Sequence, residues 1–359
     1  MTRVALGMSG GIDSTMSALI LQEQGFEVIG LTMSFWDPSI KIAEQTKKGC
    51  FGPGEAENLE AAKLAAKKLG IEHHVIPLSG EFRTHVLGFY TSTYLMGKTP
   101  NPCSICNPLL KFGLLPQAAK AKGLSYDYFA TGHYARKHFD EKLKRWQILR
   151  GVDKSKDQSY FLSLLSQEQI DQALFPLGEM HKVDLKAFAR LHGFEYLVKK
   201  QESQDFLQTE DHSVLFEASQ IVPGRIVDFE GRELGTHRGL IHYTIGQRKN
   251  LGVAGMPEPY YVIRLDAENN ELVLGPVRLL YSDSLIAEKL NWVSVGPPIE
   301  KLEVTAKIRF AHEPAAATLE FLDKERVRVE FQEPQLSITP GQLIVFYRDD
   351  LLLGGGFIA

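Results

Sequence analysis

A parallel α/β sheet, followed by a small central domain and a C-terminal β-barrel, is the fold class this sequence predicts. Three observations predict it. Residues 1 to about 195 alternate short apolar runs with stretches of helical spacing, which is the pattern of a parallel sheet covered by helices. From about 205 the texture shifts to short segments rich in glycine, and from about 286 it becomes a series of regularly spaced short strands. The expected division is therefore 1–204, 205–285 and 286–359.

The first strand, RVALGM, ends in Ser9-Gly10-Gly11-Ile12-Asp13-Ser14 and gives way to the helical spacing of STMSALILQEQG. FEVIGLTM, HHVIPL and YDYFATGH read as further strands, and EAENLEAAKLAAKKLG as a second helix. A parallel sheet binds ligands at the carboxyl ends of its strands, so the SGGIDS turn and the ATGH segment belong on one edge. The glycines let the backbone approach a ligand closely, and free N–H groups at the start of the helix attract anions. Ser9, Ser14 and Thr15 add hydroxyl donors, and Asp13 can order the loop or hold a metal ion. No Gly-Lys-Ser/Thr follows, so the turn is not a Walker A loop, nor is it a GxGxxG fingerprint. Its plain alternative is a glycine turn in which Ser and Asp cap a helix. VPGRIVDFEGRELGTHRGLIHYTIGQRKNLGV forms the central region, and VTAKIRF, ATLEFL, RVRVEF and QLIVFY supply the barrel.

A chain of 359 residues, 44% hydrophobic, can bury two or three cores. Its formal net charge of −4 means that any nucleic-acid site must be a local patch. One candidate is RKHFDEKLKRWQILRGVDKSK, residues 136–156, with eight Lys or Arg against three Asp or Glu; its alternative is a solvated hairpin of mixed charge. The absence of a basic-then-apolar leader and of an apolar run long enough for a bilayer leads to the expectation of a soluble cytoplasmic protein with no membrane partner. Three cysteines, Cys50, Cys103 and Cys106, disfavour a disulfide scaffold.

The blocks GMSGGIDS, TPNPCSICNPLLKFG, ATGHYAR, KDQSYFL, GLIHYTIGQRKNLG, YYVIRLD, KIRF, TPGQLIVFY and LLGGGFI resemble, in this order, those of the tRNA-specific 2-thiouridylases. These belong to the PP-loop ATP pyrophosphatase group, with a catalytic domain of the adenine nucleotide alpha hydrolase-like fold. The resemblance implies ATP-dependent 2-thiolation of the wobble uridine of a tRNA anticodon. ATP would adenylate the C2 oxygen, releasing pyrophosphate with Mg²⁺ spreading its charge, and a sulfur nucleophile would displace AMP. It places Gly7, Met8, Ser9, Gly10, Gly11, Ile12, Asp13 and Ser14 around ATP, with Met33 and Gly132. Asn101, Pro102 and Cys103 would lie beside the target base, and His133 would contact tRNA. Lys156, Asp157 and Gln158 form the KDQ at which relatives meet tRNA. Gln247, Arg248 and Lys249 make a second point of contact, and Arg309, Phe310 and Gln342 a third. Met33 and His133 have core packing as their alternative, as do Phe35 and Trp36, which could otherwise stack on a base.

The expected catalytic residues are Asp13, Cys50, Cys103 and Cys106. Cys106 matches the family's reactive cysteine. A thiolate beside helix-start N–H groups or a cation, of which Lys111 is a candidate, has a lowered pKa. Many members carry a second cysteine in a segment resembling ESQD-x-C. Here Glu202-Ser203-Gln204-Asp205-Phe206-Leu207 puts leucine in that place. Two features offer compensation: Cys103 stands where two-cysteine members often have aspartate, and Cys50 lies in the glycine-rich KKGCFGPGE. Three converging thiolates suit a [4Fe-4S] cluster with one open iron that would deliver hydrosulfide to the activated carbon. A zinc site completed by His73 or His74, a redox CxxC pair and unrelated buried cysteines remain the alternatives. The sulfur would come from sulfide or from a persulfide relay protein. Two rival functions share parts of this pattern: another PP-loop ligase or thiolase, and a catalytically idle tRNA-binding paralogue.

Overall fold

The computed structural model describes residues 1–42, 47–200, 205–298 and 300–359. Apolar Val4, Ala5 and Leu6 form the buried centre of β1 (Arg3–Gly7), which lies between β2 (Glu27–Ser34) and β5 (Tyr128–Ala130). A three-residue strand, β3 (Gly49–Phe51), precedes β4 (Glu72–Pro77), which pairs with the outer edge of β2; β8 (Ala173–Leu174) pairs with β5. All four pairings are parallel and give the order β4-β2-β1-β5-β8. The connections run one way from β1 to β2 and β4, then return to place β5 on its other side. That reversal is a topological switch point, where a crevice opens beyond the strands' carboxyl ends.

Helix α1 (Ile12–Glu23) leaves β1 through the glycine turn and is buried on two faces. Ala18 and Leu21 pack towards the sheet with Val4, Leu6 and Val28, while Ile12 and Met16 meet Leu185 and Ala189 of α3 (Lys182–Leu191). Helix α2 (Glu55–Leu69) carries Glu55 and Glu57 in its first turn and Lys67 and Lys68 in its last, complementing its dipole, and ends on Gly70 at φ 68°.

The hairpin β6 (Ala135–Asp140) and β7 (Arg145–Arg150) leaves the parallel sheet altogether. A short parallel pair joins β3 to β9 (Asp205–Leu207), with Phe51 opposite Leu207. The central region is a mixed four-stranded sheet of β10 (Gly224–Asp228), β11 (Glu233–His237), β12 (Tyr260–Asp266) and β13 (Glu271–Pro276), in the order β11-β10-β13-β12. The last six strands are β14 (Tyr281–Trp292), β15 (Leu302–Lys307), β16 (Ala315–Phe321), β17 (Arg326–Leu336), β18 (Leu343–Arg348) and β19 (Leu351–Ile358). They close into a barrel through the β14–β19 pairing, as the strand spacing predicts. β7 joins this barrel by antiparallel pairing with β19, Leu149 opposite Leu351, so the sheet crosses from the first segment of the chain to the last. Among the described residues no helix is long and apolar enough to cross a membrane.

Candidate active site at the switch point

The SGGIDS turn and the ATGH segment meet in the crevice between β1 and β5. A side chain at Gly132 would come within 3.1 Å of the Ser14 nitrogen and 3.2 Å of the Asp13 Cβ, so only glycine lets the two segments approach this closely. Gly10 is also obligatory: its φ is +71°, and a Cβ there would meet the α2 backbone at 2.8 Å, at both the Asn58 oxygen and the Ala62 nitrogen. Gly7 faces the Phe129 ring, and Gly11 is the N-cap of α1, with its carbonyl accepting from the Thr15 amide and hydroxyl. The Ser9 amide donates to Ser14 Oγ at 3.2 Å, and the two serine hydroxyls lie 3.3 Å apart. Ile12 is buried. Met8 is committed to the fold: its side chain packs in the sheet core, its amide donates to the Leu31 carbonyl and its carbonyl accepts from Thr32 Oγ1. Met33, at the end of β2, packs partly buried between the main core and the apolar cluster under the cysteines. Buried Glu55 fixes that strand end by accepting from Ser34 Oγ and from the amides of Phe35 and Trp36.

Asp13 Oδ1 accepts from Lys182 Nζ at 2.6 Å and from Tyr134 Oη at 3.0 Å. Lys200 Nζ donates to the Gly10 carbonyl at 3.2 Å. The two lysines lie 169 and 190 residues beyond their partners, so no local signal in the sequence marked them.

Cys103 lies in a single helical turn, Pro102–Ile105, capped by Asn101, whose Oδ1 accepts from the Cys103 amide at 3.2 Å; Pro102, at the first helical position, is buried. The chain continues as a wide π-type helix from Cys106 to Leu114. Pro108 gives the reason: it has no N–H to donate and its ring crowds the preceding turn, so the regular ladder cannot persist. Lys111 and Phe112 of this helix reach the ATGH segment. The Phe112 and His133 rings are 5.8 Å apart, and the Lys111 charge, after burial, helps hold His133 well below its usual pKa.

The three thiols feel one another and Lys111. Burial pushes Cys106 up to about 11, with Lys111 opposing and Cys103 adding to the rise. Cys103 is raised by burial against the pull of Lys111. Cys50 is exposed as a residue, but its Sγ turns back on the chain and donates to the Phe206 carbonyl at 3.5 Å; desolvation of the thiolate there, and then the proximity of Cys103 and Cys106, raise its pKa. Lys111 is therefore the expected cationic neighbour, but the expected lowering of the thiol pKa is reversed, because desolvation of a thiolate outweighs one cation. Among the described residues no three Cys, His, Asp or Glu side chains are placed to hold a metal ion. A zinc site using His73 or His74 does not form: His73 shares a hydrogen bond with Thr32 Oγ1, and His74 pairs with Glu72. Leu207, in place of a second cysteine, is 5% exposed and fills the apolar cluster against which Cys106 packs. Glu202, Ser203 and Gln204 lie outside the described residues.

Comparison with known proteins decides the kinship. Residues 2–208 match the family model described as the tRNA methyl transferase HUP domain, 212–276 the tRNA methyl transferase PRC-barrel domain and 282–358 an aminomethyltransferase β-barrel domain. The tRNA-specific 2-thiouridylase MnmA of Endomicrobium trichonymphae is 44% identical over 360 residues, covering 99% of this chain and 98% of the relative. The tRNA-specific 2-thiouridylase MnmA 2 of Thermoanaerobacter sp. (strain X514) is 42% identical over 362 residues, covering 99% and 97%. That of Trichormus variabilis is 43% identical over 362 residues, covering 100% and 99%. The chain belongs to the tRNA-specific 2-thiouridylase family.

The residues that family likeness assigns to tRNA fall into two groups. Arg248 and Lys249 are exposed, next to Gln247, which braces their turn by accepting from the Thr244 amide and donating to the Lys249 carbonyl. Phe310 is 40% exposed and lies 4.5 Å from the Phe161 ring, beside half-buried Arg309. Lys156 is half-buried. The others make hydrogen bonds within the fold. His133 is 8% exposed, shares a hydrogen bond with Thr131 and lies among Phe112 and Phe175, so it is a core histidine rather than a surface contact. Asp157 is buried, pairs with Arg150 and accepts from Gly151 and Ser159, and Gln158 Oε1 accepts from the Tyr134 amide. Gln342 donates to the Thr99 and Pro100 carbonyls, tying the barrel to the cysteine segment.

The basic run 136–156 is the hairpin β6–β7, and most of its charge is spent internally. Arg136 and Lys154 pair with Asp350, Arg150 with Asp157 and Lys144 with Glu141; Arg145 donates to barrel carbonyls and Lys137 to those of Ile170 and Asp171. Phe35 packs 4.5 Å from Phe82, and Trp36 meets the Phe51 ring at 5.0 Å, so both lie partly buried against the core.

Proposed function

We propose that this protein thiolates C2 of the wobble uridine in tRNA anticodons, using ATP to activate the C2 oxygen. The observation that carries the reading is a line of neighbouring groups that runs from the glycine turn to the three thiols. Asp13 abuts Gly132, His133 follows and touches Phe112, and Lys111 of the same helix acts on all three thiols. We read the glycine turn, with its backbone and serine donors, and the group of sulfurs as the two sides of one site. That arrangement suits an acceptor activated on one side and attacked by sulfur on the other. Methyl transfer, which the family model's description names, needs neither feature.

The turn of residues 7–14 would hold the triphosphate through its N–H groups and the Ser9 and Ser14 hydroxyls. Asp13, the turn's own carboxylate, is the residue that would hold a magnesium ion entering with it. The uridine O2 attacks the α-phosphorus, the bond to the bridging oxygen breaks, and pyrophosphate leaves. A sulfur nucleophile then adds at C2 and AMP departs with the former O2. Burial keeps Cys106 protonated at rest, and Lys111 is the group that favours its thiolate as the nucleotide and tRNA close the pocket. Arg248, Lys249, Arg309, Phe310 and Lys156 supply the tRNA surface, and the reaction belongs to the cytoplasm, where tRNA is modified.

An iron–sulfur cluster on Cys50, Cys103 and Cys106 is the reading that uses all three thiols and explains why Leu207 is tolerated. The donor chemistry suits it, but the sulfurs are not assembled as a ligand set, so no step is derived through a cluster. Anaerobic Cys50→Ala tests it: iron and thiolation should fall together while pyrophosphate release survives. Full thiolation without iron would leave the CxxC pair and a persulfide donor. The function itself is tested by tRNA-dependent pyrophosphate release. Ser9→Ala and Asp13→Ala should abolish release and retain tRNA binding. Normal release by both would refute the assignment.

A further inference from the structure

The turn that would hold the triphosphate has no lysine of its own, whereas a Walker loop places one on the β- and γ-phosphates. The fold brings two lysines to it from elsewhere. Lys182 is the first residue of α3, where its amide donates to Asp153 Oδ2 at 2.9 Å. α3 is seated against α1 by Leu185 and Ala189 on Ile12 and Met16, which sets the start of α3 beside the turn. The Lys182 side chain is only 7% exposed, passes 5.6 Å from the Tyr134 ring centre and ends on Asp13 Oδ1. Lys200, an exposed residue, ends on the Gly10 carbonyl at 3.2 Å.

Lys182 is buried while the Asp13 side chain stays 30% exposed, so the cost of taking the ammonium out of water is repaid only in part by a carboxylate that keeps its own contact with solvent. Tyr134 and Lys182 nonetheless both reach that carboxylate. Their convergence on the one carboxylate of a phosphate turn needs a different reason. We propose that Lys182, with Lys200 beside it, binds the β- and γ-phosphates and neutralises the pyrophosphate as it leaves. The inference rests on the reading of this crevice as an ATP site. Before nucleotide binds, Asp13 holds the ammonium in position and lessens the penalty of keeping it buried. When the bond between the α-phosphorus and the bridging oxygen breaks, the new charge appears on the pyrophosphate, and the ammonium is already within a short side-chain movement of the turn. Tyr134 remains as the donor to Asp13.

AMP and ATP share everything except those two phosphates, so their comparison isolates the role. In Lys182→Gln, ATP should bind about tenfold more weakly with AMP binding unchanged, and the rate of tRNA-dependent pyrophosphate release should fall by about a hundredfold, the size expected for removing one preorganised charge donor. Lys182→Arg should restore most of the preference for ATP over AMP. Unchanged AMP binding also shows that the variant is folded. With nucleotide binding measured in the absence of magnesium, for which Asp13 is the expected ligand, the double variant Asp13→Asn/Lys182→Gln separates contact from simple neutralisation of Asp13. If it regains the wild-type preference for ATP, Lys182 serves only to balance Asp13 and the inference falls. Equal weakening of ATP and AMP in Lys182→Gln would also overturn it. Failure of the wild-type protein to release pyrophosphate with tRNA would instead refute the function on which this rests.

Discussion

The thiol pocket makes a quantitative demand on cysteine reactivity. With Cys106 raised to about 11, its thiolate fraction at pH 8 is about 10⁻³, against about a quarter for a free cysteine of pKa 8.5. A thiolate of higher pKa is intrinsically more nucleophilic, by about tenfold over this interval, which offsets part of the deficit. Alkylation of Cys106 at pH 8 should therefore run about twentyfold slower than that of an unhindered thiol. The logarithm of its rate should climb with unit slope from pH 7 to pH 10. Iodoacetamide labelling localised to Cys106 by tandem mass spectrometry, at low salt and in a Cys50→Ser background that keeps Cys103, measures this directly. Lys111→Met removes the cation that opposes the rise, so the whole line should drop at every pH below 10. The stability sign follows from the same shift. A thiol raised on folding binds its proton more tightly in the native state, so its contribution is complete below about pH 8.5 and is lost as pH rises towards 11. Cys106→Ser should flatten that decline. A rate plateau below pH 9, or a Lys111→Met rate equal to the parent's, would refute the pocket as described.

Two further perturbations test how the barrel and the central domain serve the crevice. Gln342→Ala removes two hydrogen bonds to the Thr99 and Pro100 carbonyls, a local loss of about 1–2 kcal/mol. Amide exchange over residues 101–106 should quicken by about tenfold, and unchanged exchange would mean the barrel does not restrain the cysteine segment. Arg248→Ala and Lys249→Ala should each lower the salt slope of tRNA binding by about one. A slope equal to the wild type's would remove these exposed side chains from the phosphate contacts.

Local patterns carried most of the first domain. The apolar run of β1, the serine and glycine turn and the periodicity of α1 and α2 each fix their own conformation within a dozen residues, so they were readable. The placement of Gly132 against Asp13 followed from parallel-sheet topology alone. What escaped reading depends on partners far along the chain. β3 and β9 have three residues each and exist only because they pair with one another across 156 positions, the span between Cys50 and Phe206. Asp157 looks like a surface acid in KDQ until Arg150 and the Ser159 amide enclose it. The charge of residues 136–156 promised an RNA surface, but charge in a sequence does not say whether its counter-charges are Asp350 and barrel carbonyls or phosphate. Lys111 was legible because it sits five residues beyond Cys106 on one helix. The raised thiol pKa was not, since burial is a property of the assembled cluster.

The pairing of β7 with β19 also orders events during synthesis. β7 emerges early, already paired with β6 on one side, and exposes a row of unpaired backbone groups on the other. Its partner is the final strand of the chain, about two hundred residues later. Until Leu351 and Leu352 emerge, the nascent chain presents an open strand edge of the kind that recruits neighbouring chains. The β7 edge therefore stays unpaired until β19 has been made. A ribosome stalled anywhere before residue 351 would leave a protein with a finished nucleotide turn and an unfinished seam.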